Sequence, residues 1–269
     1  MKVGASSLAG RVRPFRSDRT ARVARVELPG PFQADGAGFA EPAGAAALKA
    51  RAGPSSGVTK RRVLHVGSGA ASDGRLHALF RSDQWAEVRL DVDTATDPDL
   101  VCSVTDMSAA VEDAAFDGIW SSHNLEHVRG HEILPALREF IRVLRPDGFA
   151  LIRSPDLEAV AELILRDGID SVVYQSPAGP ITPLDMLYGH QRSIEQGNEF
   201  MRHGTGFTRD RLGSLLIQAG FEEARTMRTP QLEVWAVAFM PAADVGGIVD
   251  ALARNGLDFS LDEEPRETS

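Results

Sequence analysis

Short apolar runs alternate with amphipathic segments from Arg62 onward, and this alternation restricts the chain to few folds. The pattern predicts buried strands at 62–66, 87–91, 99–103, 117–121 and 148–153, and helices at 73–82, 131–144 and 156–167. Apolar strands separated by helices form a parallel sheet with helices on both faces. A helix at 208–219, the strands "FEEARTM" and "EVWAVAFM", and a short helix at about 244–254 follow. We therefore expect a doubly wound α/β domain.

The composition is that of an ordinary globular protein without a membrane span. Of the 269 residues, 43% are hydrophobic and 25% are charged, and no run approaches the ~18 apolar residues of a membrane-spanning helix. The single cysteine, Cys102, excludes an internal disulfide, and the chain shows no secretory signal pattern. We expect a cytoplasmic protein that does not bind membranes; the oligomeric state is left open.

Charge divides the chain into a basic beginning and an acidic body. Residues 1–60 carry ten Lys and Arg against four Asp and Glu, whereas residues 61–269 carry 19 against 34. An acidic body is unsuited to neutralising the phosphates of a duplex, so we expect no nucleic-acid partner. Residues 1–60 show no sustained apolar period and are predicted to form a flexible arm. A targeting or nucleic-acid-binding arm is the alternative.

The segment "VLHVGSGAASDGRL" predicts a strand that runs into a glycine-rich loop. Gly67 and Gly69 can adopt backbone angles closed to other residues and let a ligand approach the main chain. Because the next helix start offers free N–H groups, the loop is predicted to bind a nucleotide-type ligand; a tight turn without a ligand is the alternative. The second strand ends in "LDVD", where Asp91 can accept both ribose hydroxyl hydrogens, with Asp93 as the second candidate.

Five segments in order resemble the class I, Rossmann-like family of S-adenosylmethionine-dependent methyltransferases, of the type 11 kind. They are "VLHVGSGAA", "RLDVD", "CSVTDM", "FDGIWSSHNLEHV" and "REFIRVLRPDGFALIRSP". The closing segments "GFTRDRLGSLLIQAGFEEARTM" and "EVWAVAFM" are similar to the end of such domains. The resemblance implies a seven-stranded, mostly parallel sheet in the order 3-2-1-4-5-7-6 with the last strand antiparallel. It places the methyltransferase domain at 61–241, with a helix and an acidic tail at 242–269.

The same resemblance implies S-adenosylmethionine as cofactor, S-adenosylhomocysteine as product, and a set of contacts. Gly67 and Gly69 would contact the amino-acid portion and Asp91 the ribose, while "SVTDM" would flank the adenine. His65 and Ser103 depart from the family pattern, so Asp106 is the expected adenine contact. The implied cofactor-binding residues are His65, Gly67, Ser68, Gly69, Asp91, Val92, Thr105, Asp106, Ser122 and His123.

The sequence "HNLEH" at 123–127 has two interpretations. H-x-x-E-H within one helix is a zinc-protease motif. The apolar run "DGIW" directly before it places His123 at a strand end rather than inside a helix, so we expect no metal site. In the methyltransferase interpretation this loop lies at the mouth of the site, where Ser122, His123 and Asn124 contact cofactor or acceptor. His127 alternatively braces the next helix.

Methyl transfer to a hydroxyl or ammonium group benefits from a base with a pKa near 7, which histidine supplies. The candidate catalytic residues are His123, His127, His190 and His203. The last two lie in a long insertion at about 170–206, which is predicted to cap the acceptor; a solvated surface excursion is the alternative.

The sequence therefore predicts a methyltransferase that acts on an unidentified small-molecule acceptor. A non-catalytic domain that binds S-adenosylmethionine or S-adenosylhomocysteine as a scaffold is the alternative. A nicotinamide oxidoreductase is disfavoured, because Ser72 occupies the third glycine position of the dinucleotide-binding pattern.

Overall fold

A computed structural model of the chain describes residues 21–23, 60–71 and 75–260. Within these ranges the strands are β1 (Ala21–Val23), β2 (Arg61–Val66), β3 (Trp85–Asp91), β4 (Leu100–Val101), β5 (Phe116–Ser122), β6 (Leu144–Pro155), β7 (Tyr174–Ser176), β8 (Gly179–Ile181), β9 (Glu223–Thr229) and β10 (Glu233–Phe239). The helices are α1 (Ile133–Val143), α2 (Leu157–Asp167), α3 (Pro183–Tyr188), α4 (Gln191–Glu195), α5 (Arg209–Ala219) and α6 (Val245–Arg254).

The main sheet has eight strands in the order β1-β9-β10-β6-β5-β2-β3-β4, and β7 and β8 form a separate hairpin. Strands β2 to β6 pair in parallel, and β10 is antiparallel to both β6 and β9. From β2 onward this order is 3-2-1-4-5-7-6 in the strand count of the sequence, with the last strand antiparallel. The predicted Rossmann-like fold and strand order are confirmed.

Strand β1 adds an edge that the sequence pattern does not predict. It pairs antiparallel with β9, and Ala21 lies opposite Thr226. This strand falls inside the 1–60 segment for which a flexible arm is predicted; apart from β1 and Lys60, that segment lies outside the described residues. Residues 261–269 of the predicted acidic tail lie outside them as well.

Helices cover both faces of the sheet, as expected for a doubly wound fold. Helix α1 has apolar residues at spacings of three and four, and all of them are buried: Ile133, Ala136, Leu137, Phe140 and Val143. These side chains pack with those of α5 against one face of the sheet. On the other face, α6 packs against a cluster that contains Trp120, Trp235 and Phe259.

The helix predicted at 73–82 is wrong over its described part. The chain forms only a single 3-10 turn, Ala78–Arg81, before β3 begins. His77 is extended (φ −62°, ψ 146°), and its ring nitrogen accepts a hydrogen bond from the Leu79 N–H. A residue that caps a turn in this way cannot lie inside a helix. Residues 72–74 lie outside the described ranges.

The 170–206 insertion is folded and fastened to the rest of the domain. It contains the β7–β8 hairpin, α3, α4 and a 3-10 turn at Glu199–Met201. Gly189 (φ 92°) lies so close to Met201 that a Cβ atom would be 1.8 Å from the Met201 carbonyl oxygen. Gly204 N–H donates to the Glu126 carbonyl at 2.7 Å, which ties the end of the insertion to the loop after β5. Among the described residues, no helix is long and apolar enough to cross a bilayer.

Candidate active site

The loop after β2 takes the conformation that its glycines allow. Gly67 and Gly69 have φ values of 60° and 61°, in the region that favours glycine. The Gly69 N–H donates to Asp91 Oδ2 at 2.7 Å, and the Asp93 N–H donates to Asp91 Oδ1 at 3.0 Å. Ser68 between the glycines is buried. Asp91, at the end of β3, therefore holds the glycine loop through its carboxylate.

Polar side chains lie directly over the bare backbone of this loop. A Cβ atom on Gly67 would lie 2.2 Å from Asn124 Nδ2, and one on Gly69 would lie 2.2 Å from Arg75 Nη1. Asn124 Oδ1 is buried and has no hydrogen-bond partner among the described residues. A buried acceptor without a donor is costly, and a ligand ammonium group beside Gly67 would satisfy it. The loop residues therefore fit the amino-acid end of S-adenosylmethionine.

The predicted adenine contacts lie near the ends of β3 and β4, which pair in parallel through Asp91 and Val101. Val92 is 44% exposed, and such an apolar surface suits the face of a purine ring. Thr105 Oγ1 lies 2.8 Å from Ser103 Oγ. Asp106 is exposed, and its Oδ1 accepts hydrogen bonds from the Ser108 hydroxyl and N–H, which lower the pKa of Asp106.

The resemblance implies that His65 contacts the cofactor, whereas in the structure its side chain contacts Trp120 and Glu87. Its buried ring packs against Trp120, and its Nδ1 lies 2.6 Å from Glu87 Oε1. Burial lowers the pKa of His65, although Glu87 acts in the opposite direction. His65 lines a cavity of about 560 Å³ beside the glycine loop, together with Ser68 and Arg75.

A second cavity, of about 630 Å³, lies between the 170–206 insertion and the ends of the sheet strands; we call it the acceptor cavity. Its walls come from the loop after β5, Pro155 at the end of β6, residues 230–233 between β9 and β10, and the insertion. All four candidate histidines line it: His123, His127, His190 and His203. Consecutive residues connect the cavity with the glycine loop, since His123 lines the cavity and Asn124, the next residue, lies over Gly67.

His123 is clamped between two carboxylates. Its φ is 49°, and its ring donates from Nδ1 to Glu126 Oε1 at 3.1 Å and from Nε2 to Glu233 Oε1 at 2.9 Å. Burial alone would lower the pKa of His123, but the hydrogen bonds to Glu126 and Glu233 raise it to about 9. A histidine that is protonated at neutral pH cannot accept a proton. The structure therefore removes His123 from the candidate bases and makes it a cationic donor.

Ser122 holds a neighbouring arginine. Its hydroxyl accepts a hydrogen bond from Arg153 Nε at 2.7 Å, and the Arg153 guanidinium lies over the rings of Trp120 and Trp235 at 5.6 and 5.4 Å. Arg153 Nη1 is also 3.5 Å from Glu233 Oε1. The Glu233 carboxylate in the wall of the acceptor cavity is thus held within a network of charged groups and is not free.

Glu126 is a site residue that the sequence identifies only within the rejected zinc motif. Its side chain is 1% exposed, and Oε2 accepts a hydrogen bond from the Ser154 hydroxyl at 3.0 Å. Burial would raise the pKa of Glu126, but His123 holds it below its usual range. Leu125–His127 is a 3-10 turn, so the helical i, i+4 pairing of His123 with His127 does not form. This confirms the expected strand-end placement of His123.

The remaining three histidines each have one ring nitrogen engaged. His127 Nδ1 lies 3.0 Å from the Arg202 carbonyl, and His203 Nδ1 lies 3.1 Å from the Met186 carbonyl. His190 Nδ1 lies 2.7 Å from the Ser193 hydroxyl at the start of α4. No hydrogen bond to the Nε2 atoms of these rings occurs among the described residues.

The fold and the glycine loop define a Rossmann-like domain with a nucleotide-type pocket at the carboxyl ends of its parallel strands. Residues 64–152 match a protein-family model described as a methyltransferase domain. No curated protein is significantly similar in sequence to this chain. Residues 64–152 are therefore assigned to a methyltransferase domain.

Solved structures of methyltransferases are distantly similar. One is 1,6-didemethyltoxoflavin-N1-methyltransferase of Burkholderia thailandensis with S-adenosylhomocysteine bound (18% identity, 67% of this chain, 71% of that chain, TM-score 0.41). A second is a possible histamine N-methyltransferase of Thermotoga maritima (13% identity, 68% of this chain, 84% of that chain, TM-score 0.42). A third is a methyltransferase of Aquifex aeolicus (15% identity, 68% of this chain, 85% of that chain, TM-score 0.44). Similarity at this distance does not identify the methyl acceptor of this chain.

Proposed function

We propose that this enzyme transfers a methyl group from S-adenosylmethionine to a small-molecule acceptor held in the acceptor cavity. The observation that carries the proposal is this cavity of about 630 Å³, which is lined by His123, the residue directly before Asn124. Small-molecule sites measure ~300–1,000 Å³ and combine apolar walls with a few convergent polar groups. The acceptor cavity has both, with Val173, Ile181, Met186 and Leu232 among its apolar residues.

The cofactor side of the site rests on the loop after β2. S-adenosylmethionine supplies an electrophilic methyl group attached to a positively charged sulfur. Gly67 and Gly69 have no Cβ, so that Asn124 and Arg75 lie against the loop backbone. Asn124 Oδ1 offers an acceptor for the amino group, and Asp91 keeps the loop in place. In such a reaction the protein mainly aligns the reactants, which lowers the barrier by ~7–11 kcal/mol in well-oriented systems.

The acceptor side offers groups that orient a polar molecule. The His123 imidazolium is a fixed positive charge in the cavity wall, since both of its N–H groups donate to carboxylates. Bond formation between the acceptor atom and the methyl carbon releases neutral S-adenosylhomocysteine, and the acceptor then gives up its proton. His127, His190 and His203 are the residues we propose as proton acceptors, because their Nδ1 atoms are engaged while Nε2 has no partner among the described residues.

The proposal is tested by methyl transfer from isotope-labelled S-adenosylmethionine into a cell extract that is afterwards separated into small-molecule, protein and nucleic-acid fractions. We expect label in the small-molecule fraction. Ile181 lines the cavity, so Ile181→Trp should narrow it and lower transfer while S-adenosylhomocysteine binding is retained. Tyr188, in the same insertion, is 60% exposed and outside the cavity lining, so Tyr188→Trp is the matched control and should remain active.

Two results would overturn this proposal. Label found only in protein or nucleic acid would show that the acceptor is a macromolecule. Normal S-adenosylhomocysteine binding without any transfer would favour the non-catalytic scaffold that the sequence leaves as an alternative.

A further inference from the structure

Three potential metal ligands converge at the wall of the acceptor cavity. A carboxylate oxygen of Glu126 and one ring nitrogen each of His127 and His203 all lie within 4.8 Å of one another. Glu126 and His127 come from the turn after β5, whereas His203 comes from the end of the 170–206 insertion. This set differs from the helical motif that the sequence suggests, because His203 takes part and His123 does not.

The orientation of the two imidazoles is the one that metal ligands adopt. Metal-binding histidines usually donate their second ring N–H to a carbonyl or carboxylate, which fixes the tautomer and raises the basicity of the free nitrogen. The Nδ1 atoms of His127 and His203 are each bound to a main-chain carbonyl, at 3.0 and 3.1 Å. Each Nδ1–H is thus fixed by a carbonyl, which leaves Nε2 as the ring atom that can bind a metal ion.

The chain holds the three residues together before any ligand enters. The Glu126 carbonyl accepts hydrogen bonds from the N–H groups of Gly204 (2.7 Å) and Thr205 (3.2 Å), directly after His203. The rings of His127 and His203 lie 4.9 Å apart at 70°. The Glu126 side chain is fixed by Ser154 and is buried. Main-chain hydrogen bonds thus hold together a cluster whose residues come from two distant segments of the chain.

We propose that Glu126, His127 and His203 bind one divalent transition-metal ion whose remaining positions face the acceptor cavity. Two imidazoles and one carboxylate suit zinc and its first-row neighbours, and a three-residue set leaves coordination sites open. All three residues line the cavity. The role of the ion rests on the proposed function: it would bind an acceptor oxygen and favour its deprotonation. His127 and His203 would then serve as metal ligands, and His190 would be the proton acceptor. The expectation of no metal, which came from the failed helical motif, is replaced.

The competing explanation is purely structural. Glu126 is already paired with His123, and His127 packs edge-on against His203, so the cluster could serve packing alone. The two explanations differ in one respect. A packing cluster tolerates replacement of imidazole by a phenyl ring of similar shape, whereas a metal site requires the nitrogen atoms.

The test uses the full chain, treated with a chelator, desalted and titrated with Zn²⁺ in a calorimeter and with Co²⁺ in a spectrophotometer. We expect about one equivalent of either ion to bind, with visible Co²⁺ absorption that reports nitrogen and oxygen ligands. His127→Phe and His203→Phe should each weaken binding at least about tenfold. His190→Phe is the matched control, because His190 lines the same cavity but is outside the cluster, and its affinity should be unchanged.

Absence of wild-type binding, or equal affinity in wild type, His127→Phe and His203→Phe, would overturn the metal site. Circular dichroism and S-adenosylhomocysteine binding establish that each variant is folded. Because metal binding is measured without cofactor or acceptor, its failure is distinguishable from failure of the methyl-transfer proposal.

Discussion

Replacing Asp91 by Asn tests the link between the end of β3 and the cofactor loop. The Asp91 carboxylate accepts two main-chain hydrogen bonds, from Gly69 at 2.7 Å and from Asp93 at 3.0 Å. In either orientation an asparagine amide places an NH₂ group against one of these donors, so at least one charge-assisted bond is lost. Such a bond contributes ~1.5–3 kcal/mol. We expect the affinity for S-adenosylhomocysteine to fall about 10- to 150-fold, measured by calorimetry.

Asp93→Asn provides the matched control. Within the described part of the chain, the Asp93 carboxylate accepts only from the Ala95 N–H, where it caps the Thr94–Thr96 turn. Asparagine caps a turn as well as aspartate does, so the affinity should change by less than about twofold. Equal affinity for S-adenosylhomocysteine in Asp91→Asn and wild type would refute the conclusion that the Asp91 carboxylate holds the cofactor loop. An equal loss of affinity in the Asp91 and Asp93 variants would refute it as well.

Two further predictions concern stability. Burial, with Arg153 among the nearby cations, lowers the pKa of His77 from 6.5 to about 4. The unfolded chain then binds more protons between these values, so stability is full above pH 6.5 and declines towards pH 4, by at most about 3 kcal/mol. His77→Phe should flatten the pH dependence of the unfolding free energy across this window. Parallel stability curves for wild type and variant would contradict the lowered pKa of His77. Arg228 is 7% exposed and pairs with Asp156, which is fully buried. Arg228→Leu should therefore cost ~3–5 kcal/mol in denaturant unfolding, whereas Arg166→Leu, in an exposed pair, should stay within ~0.5 kcal/mol; comparable losses would contradict the role of burial.

The central sheet is predictable because its signal is local. The mostly buried strands β2, β5 and β6 contain short apolar runs, and the connections between parallel strands restrict their order. Strand β1 has no such signal, since three residues depend on pairing with β9, about two hundred positions later in the chain. The helix prediction at 73–82 is wrong for a related reason. The 73–82 segment is amphipathic, but the His77 ring accepts a hydrogen bond from the Leu79 N–H and so begins a separate turn at Ala78 instead of continuing a helix.

The site residues also differ in whether a local sequence pattern predicts them or a contact with a distant residue is needed. Gly67 and Gly69 can be found because the backbone they provide is specific to glycine. The insertion histidines can be proposed as candidates because a long connection with polar groups predicts a binding segment. The partner of His123 could not be found in this way, since Glu233 lies 110 positions away and meets it only in the folded sheet. The protonated state of His123 depends on this hydrogen bond to Glu233.

The position of Asn124 makes the two compartments of the enzyme interdependent. Its side chain covers Gly67, and its chain neighbours His123 and Glu126 form part of the acceptor wall. A nucleoside that binds beside Gly67 contacts Asn124, and any shift of the 123–127 turn on binding would also move His123 and Glu126 in the wall of the acceptor cavity. Such a shift would make each substrate change the affinity of the other by the same factor, so that one short turn couples the two sites.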